Sequence, residues 1–81
     1  MDLLADGTVK FYQPEKGWGA VTLDSGLDIW VHFSNVEMAG YRTLAVGQRV
    51  RCTYEMVQQD SFTARALTVT PLGRGGVQAA D

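Results

Sequence analysis

The chain has 81 residues, 46% of them hydrophobic and 20% charged, with seven Lys and Arg against nine Asp and Glu for a net charge of −2. Such a composition describes one small globular domain, of a size that buries only roughly 60% of the surface its unfolded chain exposes. No apolar stretch approaches membrane-spanning length, and the acidic balance argues against a binder led by attraction to phosphates.

Met1 to Asp6 has neither the basic region nor the apolar core of a signal peptide and reads as a short lead-in. With Cys52 as the single cysteine, it points to a reducing, cytoplasmic setting. Gly7 to Gln13 is a β-prone run ended by the turn cluster Pro14-Glu15-Lys16-Gly17. Trp18 to Leu23 follows, then Asp24-Ser25-Gly26, then Asp28 to His32, a spacing that reads as a hairpin. Phe33 to Val46 carries neither period and reads as a long loop with one helical turn near Ser34 to Val36. Alternation returns at Gln48, with Val50, Cys52, Tyr54 and Met56 on one face and Arg49, Arg51, Thr53 and Glu55 on the other. After Gln58-Gln59-Asp60-Ser61 a last strand runs from about Phe62 to Thr70 and stops at Pro71. Residues 72–81 form a polar, glycine-rich tail that reads as disordered, leaving 7–71 as the folded domain.

The two central strands hold the most informative pattern. Trp18 and Ala20 share one face while Val21 and Leu23 point the other way. Trp30 and His32 share a face opposite Ile29 and Val31. Paired antiparallel, these strands make a sheet with an aliphatic face for a core and an aromatic face left in water. A flat partner such as an unpaired base gives exposed rings a purpose, because every base has a π-face. Five short strands in so short a chain predict an all-β fold, a five-stranded antiparallel barrel of the OB type, whose second and third strands are its usual single-strand binding face.

Thr8-Val9-Lys10-Phe11-Tyr12, Glu15-Lys16-Gly17-Trp18-Gly19 and Ile29-Trp30-Val31-His32-Phe33-Ser34 resemble, in order and spacing, the signature of the cold-shock domain family. Gly40-Tyr41-Arg42-Thr43-Leu44 followed by Gly47-Gln48 is similar to that family's long loop and entry to its fourth strand. The resemblance covers residues 7 to about 57 well and implies a barrel that binds single-stranded RNA and DNA and melts weak RNA structure.

By the same resemblance, Trp18, Trp30, His32 and Phe33 fall at stacking positions, and Tyr41 matches the loop aromatic, with Arg42 beside it as a further basic candidate. Lys10 and Lys16 match basic positions near the backbone path, and Asp28 an acidic position that accepts bonds from base edges. Phe11 stands where the family usually has tryptophan, and Tyr12 where it usually has phenylalanine. Ala20 replaces an aromatic, so a methyl is expected on the exposed face where relatives offer a ring. The stretch Gln58 to Arg65 is about three residues longer than the common form and lacks its Gly-Pro turn.

One histidine and one cysteine cannot assemble a zinc site, and nothing pairs a nucleophile with a base, so neither a metal, a cofactor, a small-molecule substrate nor an enzymatic activity is expected. The expected partners are single-stranded RNA and DNA, bound by a monomer with no membrane attachment, and stacking carries more of the binding than charge. The alternative is a protein-interaction module that uses the same aromatic face as an apolar patch.

Overall fold

The computed structural model describes residues 2–37 and 43–72. Five strands, β1 (Leu3–Gln13), β2 (Trp18–Leu23), β3 (Asp28–His32), β4 (Arg49–Glu55) and β5 (Arg65–Pro71), close into a barrel in the order β1-β2-β3-β5-β4. A one-turn 3-10 helix, Phe33–Asn35, follows β3. The fold is thus the expected all-β barrel of the OB type, fully closed. The closing β3–β5 contact, Trp30 opposite Arg65, is parallel, whereas the other strand pairs are antiparallel. No helix among the described residues is long and apolar enough to cross a membrane.

β1 begins at Leu3, before the β-prone run read in the sequence, because its first half pairs with β4 from Leu3–Tyr54 to Thr8–Arg49. Its second half pairs with β2, and at Lys10 the register slips: Val9 lies opposite Val21 but Phe11 lies opposite Ala20. This bulge inserts one residue and reverses the side-chain phase. Val9 therefore enters the core, Phe11 turns outward although it stands two positions later, and Tyr12 packs partly buried against the core. Gly19 permits the close crossing, since a Cβ there would overlap the Phe11 carbonyl oxygen and approach Tyr12 Cα to 2.8 Å.

The core is aliphatic: Val9, Val21, Leu23, Ile29, Val31, Val36, Val50 and Val69 are buried with Leu44, Cys52, Ala64 and Ala66. β-branched side chains suit such a pleated, two-sided enclosure. Tyr54 packs against this cluster as the alternation required. Met56 does not: β4 ends at Glu55, and beyond the strand end Met56 is exposed. The last strand likewise starts at Arg65 rather than near Phe62, which belongs to the preceding turn. Burial pushes the Cys52 thiol up to about 12, so it stays protonated and unreactive at neutral pH.

Candidate functional site

Rings gather on the outer face of β1, β2 and β3. The β2–β3 register sets Trp18 opposite His32, Ala20 opposite Trp30 and Thr22 opposite Asp28, all pointing outward, while Gly19–Val31 and Val21–Ile29 alternate inward. Along β3 the rings of Trp30 and His32 lie nearly parallel, 23° apart with centroids separated by 5.8 Å. Phe33 continues the row, 4.8 Å from His32 and tilted by 46°. Its backbone N–H donates to the Gly17 carbonyl at 2.8 Å, and its ring lies where a Cβ on Gly17 would meet it at 3.1 Å. Gly17, at φ 77°, is the residue that the turn requires there.

A second row centres on Trp18. Phe11, turned outward by the β1 bulge, meets it edge-to-face at 5.4 Å and 83°. Phe62 meets it in the same manner at 6.4 Å and 81°. Phe62 stood outside the sequence-based set of site residues. Its signal in the sequence is an aromatic side chain set among polar neighbours, Gln58 to Ser61 and Thr63, in an unusually long stretch.

Ala20 requires a correction. Its side chain shares the outward face of Trp18 and Trp30, as alternation predicts, but it is only 1% exposed. It lies opposite Phe11 on β1 and Trp30 on β3, buried but outside the connected aliphatic cluster, a position that the two large neighbours flank. A small residue between two large ones is a filled floor, with no open gap above it.

Charges frame this face. Lys10 Nζ donates to Asp28 Oδ2 at 2.8 Å, and Thr22 Oγ1 donates to Asp28 Oδ1 at 2.6 Å. The Lys10 bond first, and the Thr22 bond second, hold the Asp28 carboxyl below its ordinary range. Asp28 thus has both oxygens engaged within the protein. Lys16, in the turn just before Trp18, is exposed and forms no ion pair among the described residues. Every other described cation is matched: Arg49 with Asp24, Arg51 with Asp6 and Arg65 with Glu55. The His32 Nδ1 accepts from the Ser34 backbone N–H at 3.3 Å and lies 2.8 Å from Ser34 Oγ, which fixes the ring's orientation.

One polar atom is exceptional. The Trp30 indole N–H is buried and meets no protein acceptor among the described residues. The fold tolerates that cost on the very ring that stacks with His32.

Of the side chains expected at the site, the structure brings together Lys10, Phe11, Trp18, Asp28, Trp30, His32 and Phe33 around one face, with Lys16 in the turn that leads into Trp18. Tyr41 and Arg42 lie outside the described residues, as does the tail from Gly73 onward.

The family described as 'Cold-shock' DNA-binding domain matches residues 5–72. The chain is 36% identical over 69 residues to a protein named "Major cold shock protein" from Streptococcus pyogenes, covering 85% of this chain and 98% of that one. It is 42% identical over 57 residues to "Cold shock protein 2" from Lactiplantibacillus plantarum, covering 70% and 83% of the two chains. With a "Cold shock-like protein" from Aquifex aeolicus it shares 40% identity over 68 residues, or 83% and 93% of the two.

Proposed function

We propose, for a chain that belongs to the cold-shock DNA-binding domain family, that its ring-bearing face captures single-stranded RNA and DNA and so acts as a nucleic-acid chaperone. The family is nucleic-acid-binding and non-enzymatic. One observation carries the finer reading: two rows of rings stand on one outer face of a barrel whose interior is aliphatic. Burying those rings would have been the default use of their apolar surface. Holding them outside, stiffened by edge-to-face and stacked contacts, prepares flat surfaces at little further cost in side-chain entropy.

In this reading Phe11, Trp18, Trp30, His32 and Phe33 stack bases, and Tyr41 adds a ring from the long loop. Lys16 meets phosphate, with Arg42 in support. Lys10 reaches phosphate only by giving up Asp28, and Asp28 accepts from a base edge by the same exchange. Trapping unpaired bases favours the open form of a weak hairpin by the difference in affinity between the two forms. Neither a cofactor nor a small-molecule substrate has a part in it. The protein works as a monomer in the cytoplasm, a reducing setting that suits its buried Cys52 thiol.

Titration of intrinsic tryptophan emission with oligothymidine, oligouridine and a perfect duplex of matched length tests the proposal. Quenching by both single strands, with much weaker binding of the duplex, is the expected result. Equal affinity for the duplex would overturn it.

A further inference from the structure

Phe62 sits in a turn constructed to hold it. Gln59 and Phe62 exchange backbone hydrogen bonds, Gln59 N–H to Phe62 O at 3.0 Å and Phe62 N–H to Gln59 O at 2.9 Å. The pair closes a two-residue connection over Asp60 and Ser61, with Asp60 at φ 55°, a left-handed conformation that aspartate tolerates better than most residues. Gln58 Nε2 also donates to the Asp60 carbonyl at 3.4 Å. Two residues beyond Phe62, Ala64 is fully buried in the core, and its carbonyl accepts the Trp30 backbone N–H at 3.0 Å. The segment is therefore pinned on both sides of Phe62, once by its own turn and once by the barrel.

We propose that Phe62 is a further base-stacking residue, which gives this protein a seat for one more unpaired nucleotide beyond those held by β1, β2 and β3. The inference rests on the single-strand reading above. Phe62 remains partly exposed in a segment whose neighbours Gln58, Gln59, Asp60, Ser61 and Thr63 are all polar. Its ring stands at 81° to that of Trp18. Two rings so inclined cannot both lie flat against one base, so a base stacked on Phe62 is a different nucleotide from the one on Trp18. The strand turns between them. Stacking is indifferent to base identity, so the added seat lengthens the footprint without adding sequence preference.

The test is a graded series of oligothymidines of increasing length, titrated against the wild type, Phe62→Ala, Phe62→Leu, Trp18→Ala and Trp30→Ala, with thermal melts of each. Leucine keeps an apolar neighbour for Trp18 but has no flat face. The wild-type affinity should climb with length and then level off. In both Phe62 variants it should level off one nucleotide earlier, at a plateau weaker by about 5- to 150-fold, with the short oligomers bound as in the wild type. Equal losses at every length would mean that Phe62 only positions Trp18, and wild-type behaviour of Phe62→Leu would mean that it only packs; either overturns the inference. Should the two tryptophan variants also bind like the wild type, the single-strand reading itself falls.

Discussion

Ala20 lies directly opposite Trp30 across the β2–β3 pair, on the outward face, and is nevertheless 1% exposed. Phe11 flanks it from β1, so two large rings share the floor that one methyl provides. A larger side chain at this position has to lift them. Ala20→Phe should destabilise the protein by about 1–3 kcal/mol, towards the lower end because the rings have solvent to swing into. Each kcal/mol lowers the melting temperature by about 4–8 °C in a domain of this size. Tryptophan emission should shift to the red as the Trp30 indole is uncovered. An unchanged melt with unchanged emission would mean that the floor is open.

The unpartnered indole N–H of Trp30 makes a second prediction. Trp30→Phe loses packing area but also removes a buried donor whose desolvation costs about 1–3 kcal/mol. The two effects oppose, and stability by denaturant titration should stay within about 1 kcal/mol of the wild type. A loss above about 3 kcal/mol would show that the N–H is satisfied after all.

Acid stability follows from the carboxylates. Asp28 is held below its usual range chiefly by the Lys10 hydrogen bond, and Asp6 and Asp24 likewise by those from Arg51 and Arg49. A carboxyl with a depressed folded pKa contributes its stability in full above the unfolded value, about 3.9, and loses it as pH falls through the lower folded value. The melting temperature should therefore hold from neutrality to about pH 5 and fall below about pH 4. Asp28→Asn should be less stable at neutral pH and show a shallower acid fall, and identical slopes in the two proteins would remove Asp28 from this account.

Salt dependence tests how the charges are used. Arg49, Arg51 and Arg65 face Asp24, Asp6 and Glu55, and the proposal assigns phosphates to Lys16, Arg42 and, once it gives up Asp28, Lys10. Three contacts give a slope of log affinity against log salt near about −2 for a single strand. A slope of about −5 would need all seven Lys and Arg of the chain at once and would contradict the assignment.

Alternation made β2 and β3 legible because each strand has one buried aliphatic face, which fixes the phase of Trp18, Trp30 and His32. It did not show that Ala20 is covered, since the exposure of a small residue is decided by its neighbours on adjacent strands. The slip at Lys10, which sends Val9 inward and Phe11 outward, is invisible to a count of two, as is the end of β4 before Met56. Phe62 reaches Trp18 through a tight turn and the docking of Ala64, contacts far apart in sequence. The parallel closure of Trp30 with Arg65 is of the same kind.

The central claim is that bases stack on the exposed rings, and the most direct measurement is the affinity of Trp18→Ala and Trp30→Ala for a labelled oligothymidine, read by fluorescence anisotropy. Stacking contributes about 1–3 kcal/mol per base, so each variant should bind roughly 5- to 150-fold more weakly, with Lys10→Ala losing less. Wild-type affinity in both tryptophan variants, with their melts showing an intact fold, would contradict it.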